Sequence, residues 1–289
     1  MKLIKPNVEL LTQSPGIQGI YDAIAQAAAT CYKSEAKTGE SAKDFVAKLA
    51  KSGHLAMLEF GTVYLTIPFE SYETTFDEDA CPYSHCMGTK VHLEDRNYYI
   101  TTNLRVLYEN GWIDDLECLV DPTEHHSMRF TARFNISIGI GREFTRHRVF
   151  SFAQESTRYF NYSKDRFGGE VTFIEPTWFK NLSPECREEF KAGLCEFEEF
   201  YFRLLDNWEN RVPDRRFRSN FRGNPLTPQQ AREVLPLATK SELCMCGFEE
   251  DWTHFFDLRL RETTGKAHPD AKYIAGKLHD LFEKEDIIL

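Results

Sequence analysis

One stretch of strict alternation constrains this chain more than any other feature. Met128, Phe130, Ala132, Phe134, Ile136 and Ile138 are apolar, while the interleaved Arg129, Thr131, Arg133, Asn135 and Ser137 are polar. A period of two places all six apolar side chains on one face, which makes the segment a strand with one buried side. Such a strand needs neighbours along its edges and a layer over its apolar face. Gly139 and Gly141 break the pattern, and residues 142–150 read as a short helix. A second alternation, Thr62 to Ile67, reads as a half-buried strand.

Helical patterns surround these strands. Residues 18–32 and 41–52 read as helices, the second capped by Ser41 and stopped at Gly53. A long helix follows Ser183-Pro184, with proline at its first position, and extends to about Val212. Thr227-Pro228-Gln229-Gln230 is a capping box that opens the helix carrying Arg232. Glu249 to Arg261 is amphipathic, with Trp252, Phe255, Phe256 and Arg259 at i, i+3, i+4 and i+7. A last helix covers about 269–285. Residues 69–127 are less regular, with helices near 103–110 and 112–119, and read as an excursion between paired strands. Few strands, many helices and an antiparallel pair predict an α+β fold, an antiparallel or mixed sheet flanked by helices. With no repeat or linker, the expectation is one domain over 1–289 with an insertion at about 69–127.

Composition narrows the function classes. At 42% hydrophobic and 28% charged residues the chain is ordinary for a folded protein, which excludes wholesale disorder. No apolar run approaches the roughly 20 residues that span a bilayer, so no membrane partner is expected. Met1 to Pro6 lacks a signal-peptide core, and the expected location is cytoplasmic. Without an export signal, eight irregularly spaced cysteines read as free thiols. A net charge of −10 argues against a nucleic-acid-coating surface. Arginine is nevertheless concentrated: none precedes Arg96, yet Arg142, Arg146, Arg148 and Arg158 fall within seventeen residues. Planar forks match phosphate oxygens, so this is either a local anion site or a solvated helix face.

Arg146, His147 and Arg148 are consecutive and cannot all point one way, so they reach different partners. Between two guanidiniums, His147 tends towards the neutral form. Gln154, Ser156 and Arg158 alternate, and on an extended loop they face one side. An amide, a hydroxyl and a fork together make a phosphate and nucleobase reader, with a structural arginine cluster as the other reading. Cys81 to Cys86, with His92 nearby, lack a second ligand pair, so no metal is expected. Cys244 and Cys246 read as buried thiols, His125-His126 as a polar turn, and Glu196 to Glu199 as a solvated helix face. Trp252, Phe255 and Phe256 read as core rather than a cofactor stack.

Arg146-His147-Arg148, seven residues and then Ser156 reproduce the RHR-x7-S signature, and here the chain resembles the flavin-dependent thymidylate synthases (ThyX). Gly53-His54 followed five residues later by Glu59 is similar to that family's GHxxxxE segment. Ala231-Arg232-Glu233-Val234-Leu235-Pro236 resembles its AR-x-x-LP helix, and Trp252 to Arg259 its final active-site helix. The resemblance covers about 41–68 and 127–285, leaving 69–127 as an insertion relative to shorter members.

The resemblance implies reductive methylation of dUMP to dTMP, with methylenetetrahydrofolate as carbon donor, NADPH as reductant and FAD as hydride carrier. It places Arg146, His147, Arg148, Gln154, His54, Ala56 and His254 about the flavin. Glu143, Arg146, Gln154, Ser156, Arg158, Arg232 and Arg259 would hold dUMP, Arg158 at its phosphate. Arg259 matches the arginine that favours an enolate-like uracil, and Ser156 reads as a substrate contact rather than a nucleophile. The family also implies a homotetramer with active sites at subunit interfaces. The sequence departs from the family at Phe248 and Glu250, where Asn and Arg are often found, at Ala56 and Phe60, and in Lys266 to Asp270. Those departures keep two further readings open: an acceptor that is another pyrimidine nucleotide, or a nucleotide-binding protein without flavin chemistry.

Overall fold

The computed structural model describes residues 1–32, 37–72, 78–158, 161–162, 169–205 and 226–287. Along the chain run β1 (Lys2–Ile4), β2 (Asn7–Leu11), α1 (Gly16–Tyr32), α2 (Glu40–Lys51), β3 (Thr62–Pro68), β4 (Lys90–Glu94), β5 (Asn97–Asn103), α3 (Leu104–Asn110), β6 (Arg129–Ser137), α4 (Ile138–Phe144), β7 (Ser151–Gln154), β8 (Thr172–Ile174), α5 (Pro184–Leu205), α6 (Pro228–Ala231), β9 (Lys240–Phe248), α7 (Glu249–Arg259) and α8 (Pro269–Lys284). The class is α+β, as expected. Among the described residues the strands form three sheets: a parallel β1–β8 pair, a sheet in the order β2-β6-β9-β7, and an antiparallel sheet in the order β3-β5-β4. Among the described residues no helix is long and apolar enough to cross a membrane.

The chain divides into two compact units. One comprises Met1–Asn7, Asn135–Phe144 and Glu155–Ser241; the other comprises Val8–Phe134, Thr145–Gln154 and Glu242–Leu289. In the first, Phe173 and Val171 are buried with Leu194 and Tyr201 of α5. The helix begins where the Ser-Pro pair predicted: Pro184 is its first residue, and Ser183 Oγ accepts from the Cys186 N–H at 3.3 Å. The expected extension to Val212 lies outside the described residues beyond Leu205. Glu198 corrects the solvated-face reading of 196–199. It is 8% exposed, and its Oε1 accepts from the Val171 N–H at 2.6 Å, a buried bond that the repeated glutamates concealed.

The second unit holds an extensive core. Ile20 and Ile24 of α1, Val46 and Leu49 of α2 and Val63, Leu65 and Ile67 of β3 pack together. Tyr83, Tyr98, Ile100, Leu104 and Leu107 join them. Those five lie within 69–127, and this corrects the picture of an excursion between paired strands. The partner of β3 is β5, in register from Thr62↔Asn103 to Pro68↔Asn97, rather than the 128–138 strand. Nor is β3 half-buried: Thr62 is covered beside Arg129, whose Nη1 donates to its Oγ1 at 3.4 Å, and Tyr64 beneath His126, which packs edge-on against its ring at 5.5 Å. His126 is accordingly more than a polar turn, since it is 5% exposed and one ring nitrogen lies 3.1 Å from the Leu65 carbonyl oxygen.

The strong alternation is borne out in the middle of β6, where Ala132, Phe134 and Ile136 are buried, and fails at its ends, where Arg129 is buried, Met128 and Phe130 are only half-buried and Ile138 opens a helix. The helix expected at 142–150 starts earlier. Ser137 Oγ accepts from the Ile140 N–H at 3.3 Å and opens α4, so Gly139 and Gly141 lie inside the helix instead of ending a strand. The cap of α2 is likewise Gly39, at φ 58, while Ser41 sits in the first turn and donates to the Thr38 carbonyl. Position 112–119 forms a 3-10 turn (Ile113–Cys118) rather than an α-helix. All eight cysteines are free, and Cys244 and Cys246 are buried on β9 as expected.

Candidate active site

The residues singled out from the sequence are distributed between the two units. In the unit that includes Thr145–Gln154, the chain leaves α4 through turns that expose Arg146 and Arg148 and bury His147, which is 6% exposed. The three consecutive side chains therefore do reach different surroundings. The His147 ring lies 5.1 Å from the Phe255 ring and 6.2 Å from that of His254, centroid to centroid. Arg259 Nε donates to His147 Nε2 at 2.9 Å, so Nε2 is an acceptor and the neutral ring carries its hydrogen on Nδ1. Burial, then the Arg259 charge and His254, push the His147 pKa down to about 4.

Arg259 stands on a helix that the core grips firmly. Trp252, Phe255 and Phe256 are all 0% exposed, and Trp252 Nε1 donates to the Phe130 carbonyl at 3.2 Å. The i, i+3, i+4 pattern thus buries the aromatic residues, as read, and leaves Arg259 half-buried at the last position of α7. His254, on the same helix, is exposed. Elsewhere in this unit Gly53, at φ 77, ends α2 in a conformation that favours glycine. His54 and Ala56 follow it, both exposed, at the start of a 3-10 turn over Leu55–Phe60. Phe60 is buried. Glu59 accepts from Arg105 Nη1 at 2.6 Å. Gln154 is half-buried at the end of β7, in register with Leu243 of β9.

In the unit that includes Glu155–Ser241, the segment after Glu155 is extended only briefly. The Arg158 N–H donates to Ser156 Oγ at 3.2 Å, which closes a turn at 157–158 and corrects the picture of one continuous extended loop. Two side chains from the 228–232 turn hold it: Arg158 Nε donates to Gln229 Oε1 at 2.6 Å, and Arg232 Nη1 to Thr157 Oγ1 at 3.3 Å. The capping box forms as read, the Thr227 N–H donating to Gln230 Oε1 at 3.0 Å. The helix it opens is one turn long, and Arg232 begins the 3-10 turn that follows. Glu143 is half-buried near the end of α4.

Sequence reasoning missed five charged residues: Glu155, Lys240, Arg129, Lys90 and Arg105. Glu155, 4% exposed, forms an ion pair with Lys240 at 2.7 Å; its place between Gln154 and Ser156, on the opposite face of the alternation, was the available signal. Arg129, 8% exposed, donates to the carbonyls of Glu59 and Thr102 at 3.2 and 3.4 Å. Lys90 and Arg105 both come from 69–127. Lys90 ion-pairs with Glu250, and its Nζ lies 4.9 Å from the centroid of the Phe248 ring. The two departures, Phe248 at the end of β9 and Glu250 in the first turn of α7, therefore both meet a cation some 160 positions away in the chain, a pairing that no local pattern carries.

A family model described as "Thymidylate synthase complementing protein" matches residues 117–286. The chain belongs to that family, the flavin-dependent thymidylate synthase (ThyX) family. Among curated relatives, the flavin-dependent thymidylate synthase of Corynebacterium glutamicum is 32% identical over 127 residues, covering 44% of this chain and 47% of that protein. That of Pyrococcus abyssi is 28% identical over 169 residues, covering 56% and 60%. The chain thus spans about half the length of the curated relatives it matches. A UMP/dUMP methylase, PolB, from Streptomyces cacaoi, solved with 5-Br dUMP, aligns over 98% of this chain and 93% of its own at 18% identity and a TM-score of 0.44.

Proposed function

We propose that this protein is a flavin-dependent thymidylate synthase that converts dUMP to dTMP, with methylenetetrahydrofolate as carbon donor and NADPH as reductant. The observation that carries the reading is the Arg259 guanidinium, held through Nε by a buried and neutral His147. Charge develops on the uracil carbonyl oxygens as C5 becomes nucleophilic, and a guanidinium already fixed in place stabilises it without reorganisation. Because His147 is neutral, its contact with Arg259 does not cancel the positive charge, as a carboxylate partner would.

The residues fit a flavin dinucleotide. Arg146 and Arg148 are exposed forks suited to a diphosphate, and His54, Ala56, Gln154 and His254 are exposed or half-buried in the same unit. Glu250 reverses a charge common in the family, but Lys90 pairs with it and removes the repulsion. FAD, when bound, supplies hydride transfer. In this reading Glu143, Ser156, Arg158 and Arg232 hold dUMP. Gln229 aims the Arg158 fork, and Thr157 steadies Arg232. The active form is a homotetramer.

The test is tritium release from C5-labelled dUMP with FAD, NADPH and methylenetetrahydrofolate supplied. Release that falls about 10²–10³-fold in Arg259→Ala is the expected result. A folded, yellow protein that releases no tritium would overturn the dUMP assignment in favour of another pyrimidine nucleotide. A colourless protein with no release would favour nucleotide binding without flavin chemistry.

A further inference from the structure

A second cluster lies on the β3-β5-β4 sheet. Among the described residues, His92, Glu94 and His125 bring three potential ligand atoms within 4.8 Å of one another. Glu94 Oε2 is 2.9 Å from His92 Nε2 and 3.0 Å from His125 Nδ1, so one carboxylate oxygen serves both rings. Two ligands bound at about 2.0–2.1 Å, at angles between octahedral and tetrahedral, lie about 2.9–3.4 Å apart. Both separations fall at the lower edge of that range.

The fold holds all three in place. His92 and Glu94 are two apart on β4 and share one face of the strand. His125 comes from the turn after Pro122, which the neighbouring His126 anchors: its Nδ1 accepts from the Thr123 N–H at 3.1 Å. The His125 ring also rests on Tyr99 at 4.6 Å, and Tyr99 is the register partner of His92 on β5. The cluster borders a cleft of about 610 Å³ shared with Lys90. The sequence reading had instead set His92 beside Cys81 and Cys86, but Cys81 is buried and its thiol is pushed up to about 11 by that burial, which suits packing rather than ligation.

We propose that His92, Glu94 and His125 bind one divalent transition metal, zinc by the chemistry of the ligand set, with its remaining coordination facing the cleft. Two imidazoles and a carboxylate are a known zinc set that leaves a position for water. The metal would tie β4 to the 122–126 turn and stabilise the fold by mass action.

The experiment titrates the chelator-stripped 289-residue chain with cobalt(II) chloride and then zinc chloride. Expected are one equivalent of cobalt with weak visible bands and no thiolate charge-transfer band, displacement by zinc, and a zinc-dependent rise in Tm. A His92→Ala/His125→Ala double variant with unchanged circular dichroism loses the equivalent and the Tm rise. Uptake that persists in the double variant, or carries a thiolate band, would overturn the proposal in favour of the cysteines. Uptake that never saturates would mark an adventitious ion only and overturn it equally.

Discussion

The support under Arg259 and the support under Arg158 are built from opposite materials. Arg259 rides on a helix whose inward face is three fully buried aromatic side chains, and its own partner, His147, is buried among them. Arg158 sits in an exposed turn held by Gln229 and Ser156, with the buried Glu155–Lys240 ion pair at its root. Packing fixes the first guanidinium, and directional polar bonds fix the second. Non-directional burial tolerates no loss of volume, whereas polar bonds at a surface are exchanged for water at small cost. Under the proposed function, a group that would meet developing charge gains most from the rigid support, and one that would grip a phosphate works from the adaptable one.

Four measurements would break or sharpen this contrast. Trp252→Ala removes the largest side chain under α7 and should cost about 3–5 kcal/mol in urea unfolding; a loss under 1 kcal/mol would mean that packing does not fix the helix. Lys240→Met leaves Glu155 buried without that cation and should cost about 3 kcal/mol, with most of the loss recovered in Lys240→Met/Glu155→Leu. If the double variant is no better than the single, the pair is more than an electrostatic root for the turn.

Acid should weaken the Arg259 support specifically. The folded pKa of His147, about 4, lies below the ordinary value near 6.5, so between those values the unfolded chain binds a proton that the folded chain refuses. Stability from this group is therefore unaffected above pH 6.5 and falls as pH drops towards 4, by about 2 kcal/mol at pH 5. Urea midpoints at pH 7 and 5 should show that loss in the native chain and a correspondingly smaller one in His147→Gln. The smallest effect is expected at the exposed turn: Arg158→Ala should move stability by less than about 0.5 kcal/mol. Calorimetry with dUMP should nonetheless show at least tenfold weaker binding for that variant. Equal binding would remove Arg158 from the proposed phosphate contact.

Much of the local structure was legible because it depends on neighbours a few positions apart. The alternation in β6, the aromatic stripe of α7, Pro184 at the start of α5 and the Thr227 box are each written within a dozen residues. The readings that failed concern what lies across from a segment. Glu198 shares the buried face of α5 with Leu194 and Tyr201 at helical spacing, but its charge hid that among the glutamates, and nothing local tells β3 that its partner is β5. Of the candidate site, the residue types and the family were readable from Arg146-His147-Arg148 and Ser156, but the bond between Arg259 and His147 joins positions 112 apart.

The sequence by itself determined the central β6 alternation, the α7 stripe, the start of α5 and the family, since these follow from backbone geometry and from fixed spacing along one chain. Tertiary structure alone decided which charges became buried and which met. Lys90 reaches Glu250, Arg105 reaches Glu59 and Lys240 reaches Glu155 only because sheets bring distant strands and turns alongside one another. A buried charge is tolerated where a partner arrives, and that arrival belongs to the fold rather than to the segment.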